Sequence, residues 1–283
     1  NDTVFNPQGQ SSEQILEFAE QTVFEIAEQE TRGRKSYQNV SAYTDVVMER
    51  IQALAESKSS ITGIRTGYHD LDFKTAGFQR SDLIIIAGRP SMGKTALAVN
   101  IAETAAIKDK HSVAIFSMEM QAEQLTMRMM SSLANIDQHK VRTGKLDGDD
   151  WVRFTSTVGI LQETKMFIDD TPALTPAELR ARCRRISREH GLDLVVVDYL
   201  QLMQVAGTSE NRATEISEIS RSLKAMAKEL NIPVIALSQL NRSVVSRQDK
   251  RPLMSDLRES GAIEQDADVI IFIYRDEEYD KET

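Results

Sequence analysis

The sequence has few of the features that mark secreted or membrane proteins. Cys183 is the one cysteine among 283 residues, which excludes an internal disulfide and suits a reducing cytoplasm. No run approaches the roughly eighteen consecutive apolar residues that a membrane-spanning helix needs. The formal net charge of −9 argues against a protein that coats nucleic acid by bulk charge, but it leaves room for a local basic channel. These absences favour a cytoplasmic globular protein.

The amino-terminal part is predicted to be helical and separate from the rest of the chain. It starts "NDTVFNPQGQ", without an initiator Met or a signal pattern, so we expect the sequence to begin within a longer protein. Apolar residues recur at helical spacing over 11–30, and a second helix follows over about 41–56. Their apolar stripes pack either on their own domain or on a neighbouring subunit, and the pattern alone leaves both open. We divide the chain into a linker region, 1–40, and a domain, 41–283.

From residue 61 onward, short apolar strands alternate with helices. The strands are near-continuous in Val, Ile and Leu, which is typical of a parallel sheet buried on both faces. One connecting helix carries a capping box of Thr175 and Glu178, with Pro176 at its first position, and ends at Gly191. The pattern predicts an α/β fold in which helices flank a mostly parallel sheet. The predicted strands are 82–88, 112–118, 165–170, 192–198, 232–238 and 267–275.

The stretch "GRPSMGKT" matches the Walker A pattern G-x-x-x-x-G-K-[ST], and it follows a strand and opens a helix. Glycines allow the backbone N–H groups to point at phosphate oxygens, and the helix N-terminus adds partial positive charge. Lys94 is expected to reach the β- and γ-phosphates, and the Thr95 hydroxyl to bind Mg²⁺. The turn therefore predicts a nucleoside triphosphate site. Its residues are Gly88, Arg89, Pro90, Ser91, Met92, Gly93, Lys94 and Thr95.

Acidic residues lie at the ends of several predicted strands, and a phosphate-binding loop needs one of them to bind the metal ion. In "LVVVDYLQLM" four apolar residues precede Asp198, which is typical of a Walker B acid. Glu119 in "IFSMEM" comes just past another strand and is a candidate general base for the attacking water. Asp169 and Asp170 also end a strand, so position alone does not decide between the candidates. Because the pair precedes a turn and a helix cap, we interpret it as structural.

A polar amide and a basic loop follow the strand "IPVIALS". Gln239 can sense a γ-phosphate through one hydrogen bond and move the loop behind it. A charge cluster of this size is commonly a solvated loop, but its position after a candidate sensor favours contact with DNA. The basic residues of this loop are Arg242, Arg247, Lys250, Arg251 and Arg258.

Together these motifs resemble the replicative hexameric DNA helicases of bacteria, the DnaB family within the RecA-like P-loop ATPases. The resemblance rests on "GRPSMGKT", "FSMEM", "VVVDYLQLM", "NRATEISEISRSLKAMAKEL", "ALSQLNRSV" and "SDLRESGAIEQDAD", and it covers nearly the whole chain. It implies a RecA-like fold and a 5′–3′ helicase that hydrolyses ATP with Mg²⁺. It also implies a homohexameric ring with ATP between neighbours and single-stranded DNA in the central channel.

The resemblance carries roles to individual residues. It implies that Lys94 and Thr95 hold phosphate and Mg²⁺, that Glu119 activates water and that Asp198 orders the metal. It implies that Gln239 couples the γ-phosphate to the DNA loops.

Further positions follow from the same resemblance. Arg258, Glu259 and Gly261 fall where the family grips the DNA backbone, and Arg128 is expected to approach the nucleotide. The helix over 11–30 resembles a linker helix, which favours docking on the adjacent subunit.

The family also implies features outside this sequence. These are an amino-terminal domain that recruits primase, a helicase loader as a further partner, and a segment beyond "FIYRDE" with trans-acting Lys and Arg. Since an arginine finger contributes about 10³ to 10⁵ in rate, we expect this stretch alone to bind nucleotide but to hydrolyse it poorly. Two alternatives remain. One is a RecA- or RadA-like DNA-dependent ATPase without processive unwinding, and the other is a nucleotide-switched interaction module.

Overall fold

A computed structural model describes residues 39–56, 60–205 and 212–279. The chain divides into two units, residues 1–58 and residues 59–283. The predicted helix over 11–30 lies outside the described residues, and the predicted boundary after residue 40 stays a prediction. Among the described residues, no helix combines the length and the apolar character that a bilayer crossing requires.

Helix α1, Ser41–Glu56, is the described part of the first unit and matches the predicted second helix. Asn39 precedes it, and the Asn39 side-chain oxygen accepts a hydrogen bond from the backbone N–H of Ser41 at 3.1 Å. The large apolar side chains of α1 are exposed, among them Val46, Met48 and Ile51. The helix therefore presents an exposed apolar surface.

The second unit contains a six-stranded sheet in the order β3-β2-β4-β5-β1-β6, and every strand pairing in it is parallel. This confirms the predicted sheet. The sixth strand is shorter than the predicted 267–275, because its pairing with β1 extends only as far as Phe272. The strands are β1 Leu83–Gly88, β2 Val113–Ser117, β3 Met166–Asp169, β4 Leu194–Asp198, β5 Val234–Gln239 and β6 Val269–Phe272.

Helices connect these strands. The capping box predicted at Thr175 is present, since its hydroxyl accepts from the Glu178 N–H while the Glu178 carboxylate accepts from the Thr175 N–H. The α-helices of this unit are α2 His69–Thr75, α3 Lys94–Glu103, α4 Ala122–Ala134, α5 Gln138–Thr143, α6 Gly148–Gln162, α7 Pro176–His190, α8 Arg212–Leu230, α9 Ser243–Ser246 and α10 Gly261–Asp266. A π-helical turn, Thr104–Lys108, continues α3, and 3₁₀ turns cover Leu200–Leu202, Met254–Ser260 and Asp276–Glu278.

The core consists of two apolar layers on opposite faces of the sheet. Along β1, Leu83 and Ile85 belong to one layer, while Ile84 and Ile86 belong to the other. Each of these side chains is fully buried, and burial of one such side chain stabilises the fold by about 1.5 to 3 kcal/mol. Because the strands are parallel, all their carboxyl ends lie at one edge of this rigid sheet, which is where ligands bind in open α/β sheets.

Candidate nucleotide site

The turn between β1 and α3 has the backbone of a phosphate-binding loop. Gly93 has φ 96°, a left-handed conformation that glycine adopts without strain, and it immediately precedes the first residue of α3. Space is tight at Gly88, because a Cβ there would lie 3.2 Å from the Ile273 carbonyl oxygen. Lys94 Nζ donates to the Arg89 carbonyl at 3.2 Å, so the ammonium group lies over its own loop. Burial lowers the pKa of Lys94, although Asp198 and Glu119 partly oppose that shift.

Thr95 and Asp198 meet although they are far apart in the chain. Thr95 Oγ1 donates to Asp198 Oδ2 at 2.7 Å, because β4 ends beside the start of α3. Asp198 is buried, and its Oδ1 has no hydrogen-bond partner among the described residues. Burial raises the pKa of Asp198, and the nearby Glu119 raises it further. A hydroxyl beside a buried carboxylate with an open oxygen is a donor set that fits Mg²⁺.

One cavity of about 630 Å³ lies at this edge of the sheet. It brings the loop together with Glu119 after β2, Arg128 on α4 and Gln239 at the end of β5. Of the predicted residues, Pro90, Ser91, Gly93, Lys94, Thr95, Glu119, Arg128 and Gln239 line the cavity. Gly88, Arg89, Met92 and Asp198 belong to the same edge without lining it. The roles assigned to these residues stay predictions.

The Arg89 side chain contacts the backbone that follows β5. Its Nη1 donates to the Leu240 carbonyl oxygen at 2.7 Å, and the Leu240 N–H donates to the Gly88 carbonyl at 3.3 Å. The loop is therefore tied to the residue that follows Gln239.

Sequence analysis missed part of the cavity wall. Asn100 lies one helical turn beyond Ala96, and Ser132 lies one turn beyond Arg128. The i, i+4 spacing from the predicted Arg128 is a signal for Ser132, whereas Ala96 was not predicted and gave no such signal for Asn100. The other unpredicted lining residues are Ala96, Met120, Gln138 and Tyr199.

The Asp169 and Asp170 pair makes structural contacts. Asp169 forms an ion pair with Arg182 on α7 and accepts a hydrogen bond from the Thr171 N–H at 3.0 Å. Asp170 Oδ2 accepts from the Ala122 N–H at 2.9 Å, at the start of α4. These contacts support the interpretation that the pair stabilises a turn and a helix start.

The basic residues of the loop after β5 differ in their contacts, and one of them is paired with a carboxylate of the same loop. Arg247 makes a bidentate contact with the buried Asp256, at 3.0 and 2.8 Å. Lys250 Nζ lies 5.0 Å from the Tyr279 ring centroid. Arg251 lies 5.9 Å from the Tyr274 ring centroid. By contrast, Arg242 is exposed.

The three predicted DNA contacts lie farther along this loop. Arg258 and Glu259 fall in the 3₁₀ turn Met254–Ser260, and Gly261 begins α10. Their side chains lie outside the described part of the structure. The structure does bring their backbone to a helix start shortly before β6.

Comparison with known proteins gives relatives over nearly the whole chain. The chain is 55% identical over 280 residues to the replicative DNA helicase DnaB of Buchnera aphidicola subsp. Acyrthosiphon pisum. The match covers 98% of this chain and 61% of that protein. It is 53% identical over 272 residues to the replicative DNA helicase DnaC of Bacillus subtilis, covering 96% of this chain and 60% of that protein. The chain thus spans about 60% of the length of these relatives.

Solved structures with the same fold include an ATPase domain at a TM-score of 0.83 and 37% identity, with 88% of this chain and 87% of that chain covered. A DnaB-like replicative helicase, described with its interactions with primase, has a TM-score of 0.79 at 35% identity, over 94% of this chain and 68% of that chain. These neighbours confirm the predicted RecA-like fold. Residues 63–283 match the DnaB-like helicase C terminal domain, and the chain therefore belongs to the family of DnaB-like helicases.

Proposed function

We propose that this chain is the motor part of an ATP-dependent replicative DNA helicase, a homohexameric ring that translocates on single-stranded DNA and unwinds duplex DNA. The observation that carries the proposal is the cavity in which Lys94, Thr95, Glu119 and Gln239 converge beside Asp198. The replicative helicases to which the chain is more than half identical support the same activity.

The phosphate side of the cavity belongs to the loop and the first turn of α3. The N–H groups at the start of α3 and the Lys94 ammonium bind the β- and γ-phosphates of ATP. Thr95 Oγ1 and the open Oδ1 of Asp198 would hold Mg²⁺. When bound, Mg²⁺ neutralises the charge that develops on the transferred phosphoryl group.

The opposite side of the cavity carries the residues for water and for coupling. Glu119 accepts a proton from the attacking water, which is general-base catalysis. Arg128 approaches the nucleotide from α4, and Gln239 donates to the γ-phosphate from the end of β5. The loop that begins just after Gln239 contains the DNA-gripping residues Arg258, Glu259 and Gly261.

The assembly and its partners are part of the proposal. The exposed apolar side chains of α1 are consistent with a subunit that makes contacts beyond its own unit. A similar helicase is described with its interactions with primase, and we extend that partner to this chain together with a helicase loader. We place the activity in the cytoplasm.

The experiment that tests the proposal is ATP hydrolysis by the complete protein with and without single-stranded DNA. Strong stimulation by DNA is expected, and Arg258→Ala should abolish the stimulation while nucleotide affinity survives. Arg188→Ala removes an exposed arginine from α7 and is the matched control that should keep the stimulation. If DNA does not stimulate hydrolysis, or if Arg258→Ala leaves stimulation intact, the assigned DNA grip is wrong.

A further inference from the structure

Gln201 links the end of β4 to the end of β5 through its side chain. It lies in the 3₁₀ turn Leu200–Leu202, shortly after Asp198. Its side-chain amide takes part in three hydrogen bonds: Nε2 donates to Ser238 Oγ at 3.1 Å and to the Gln239 carbonyl at 3.2 Å, and Oε1 accepts from the Gln239 N–H at 3.2 Å. Both peptide groups next to the Gln239 Cα are therefore held by one side chain.

These bonds replace a strand pairing that has ended. The register of β4 with β5 runs only as far as Val197 opposite Ala236. On the other side of β5, pairing with β1 continues to Gly88 opposite Gln239. A primary amide offers one acceptor and two donors, so it can bond a peptide much as a neighbouring strand does. Gln201 thus supplies, on the β4 side, the partner that the Gln239 backbone lacks there.

The turn that carries Gln201 is itself fixed. Leu200 is fully buried, and Arg212 at the start of α8 donates to the carbonyl oxygens of Gln201 and Met203 at 2.7 and 3.2 Å. Because the turn is already ordered, only the rotamer freedom of the Gln201 side chain is lost when these hydrogen bonds form. The position of Gln239 is therefore coupled to the turn behind Asp198.

We propose that Gln201 is a positioning residue that holds Gln239 in the orientation needed to contact the γ-phosphate. The inference rests on the proposed function, in which Gln239 is the γ-phosphate sensor. Through Gln201, the acid on the metal side and the sensor move as one body. Removal of Gln201 leaves the phosphate-binding loop intact, so the effect belongs in turnover and not in nucleotide affinity.

A double-mutant cycle in the complete protein tests this inference, with kcat and KM for ATP measured in the presence of single-stranded DNA. Gln201→Ala is expected to lower kcat about tenfold and to leave KM within about twofold. The double variant with Gln239→Ala should be no slower than Gln239→Ala alone, because residues that act as one unit are not additive. Gln201→Met keeps the side-chain volume without the amide and should behave like Gln201→Ala. The exposed Gln204, changed to Ala, is the matched control and should leave kcat unchanged.

Each other outcome overturns the inference in a recognisable way. Unchanged kcat in Gln201→Ala, with reduced kcat in Gln239→Ala, removes the positioning role and leaves the proposed sensor in place. Additive losses in the double variant show that the two residues act independently. An unaffected Gln239→Ala removes the sensor role itself and the inference with it. Loss of nucleotide binding in both Gln201 variants would make Gln201 a purely structural residue.

Discussion

The nucleotide cavity and the basic loop after β5 both follow strand ends, yet they use polar side chains in opposite ways. At the cavity, the strand ends hold polar side chains near one another. One hydrogen-bond acceptor there, the buried Oδ1 of Asp198, has no partner among the described residues. In the loop, Arg247 pairs with Asp256, whose carboxylate also accepts from the Leu253 N–H, while the buried Nε of Arg247 has no partner among the described residues. An open carboxylate oxygen beside a cavity favours a ligand, whereas a bidentate ion pair to a buried carboxylate within one loop favours a role in folding.

The difference changes how the basic residues of the loop should be counted. A sequence shows five basic residues in the loop, but in the structure Arg247 is committed to Asp256, and Lys250 and Arg251 lie over tyrosine rings. Arg242, by contrast, is exposed, and its charge is open to solvent.

The largest effect is expected at Glu119 in the nucleotide cavity. Glu119→Gln removes the proposed base and keeps the shape of the side chain, so ATP hydrolysis should fall by about 10² to 10⁴. Nucleotide affinity should change little, because Lys94 and the loop remain. Steady-state hydrolysis and equilibrium nucleotide binding measure the two quantities separately. Near-normal turnover in Glu119→Gln would remove the general-base role.

Arg247→Ala tests whether the loop charge serves folding. Its loss leaves Asp256 buried without its bidentate partner, which should lower the free energy of unfolding by about 3 kcal/mol. Arg242→Ala is the control within the same loop: because that side chain is exposed, stability should be retained and DNA affinity reduced. Denaturant unfolding and DNA binding give both values. An Arg247→Ala variant of normal stability and weakened DNA affinity would reverse the comparison.

Glu103, the last residue of α3, is expected to make the stability of the protein depend on pH. Burial raises the pKa of Glu103 from 4.5 to about 7, although the bond from Ser132 partly opposes the shift. Between these values the unfolded chain releases a proton that the folded protein keeps, so this group's contribution to stability falls as the pH rises and is lost above about pH 7.

Glu103→Gln removes that titration and stays neutral. Its stability relative to the unmodified protein should therefore rise by about 2 to 3 kcal/mol between pH 5 and pH 8. Denaturant unfolding at the two pH values measures the difference. A pH-independent difference between the two proteins would show that Glu103 titrates normally.

The smallest effect is expected at Lys250. The ammonium group over the Tyr279 ring is partly exposed, and such a contact contributes about 0.5 to 1 kcal/mol. Lys250→Ala should lower stability by that amount at most, whereas Lys250→Arg should retain it. Thermal unfolding of the two variants side by side checks the difference. A loss comparable with that in Arg247→Ala would place Lys250 among the folding contacts of the loop.

The strands and the phosphate-binding loop could be predicted because their signals are local. The apolar run that ends at Gly88 favours a strand, and the glycine at residue 93 permits the left-handed turn before α3. Each signal lies within the segment whose backbone it predicts. Asn100 could not be singled out in that way, because helix spacing gives a face but not the neighbour it meets, whereas Ser132 follows the predicted Arg128 by one helical turn. The predicted DNA contacts at Arg258, Glu259 and Gly261 stay predictions.

By itself, the sequence determined the parallel α/β order, the phosphate-binding turn, and which polar residues follow the strands. Tertiary structure alone decided which of those residues share a cavity. It also decided three contacts: Arg89 with the Leu240 carbonyl, Gln201 with the Gln239 backbone, and Arg247 with Asp256. The physical reason is distance along the chain. Local backbone preference acts over a few residues, whereas hydrogen bonds between separate strand ends depend on the sheet register that the whole buried core sets.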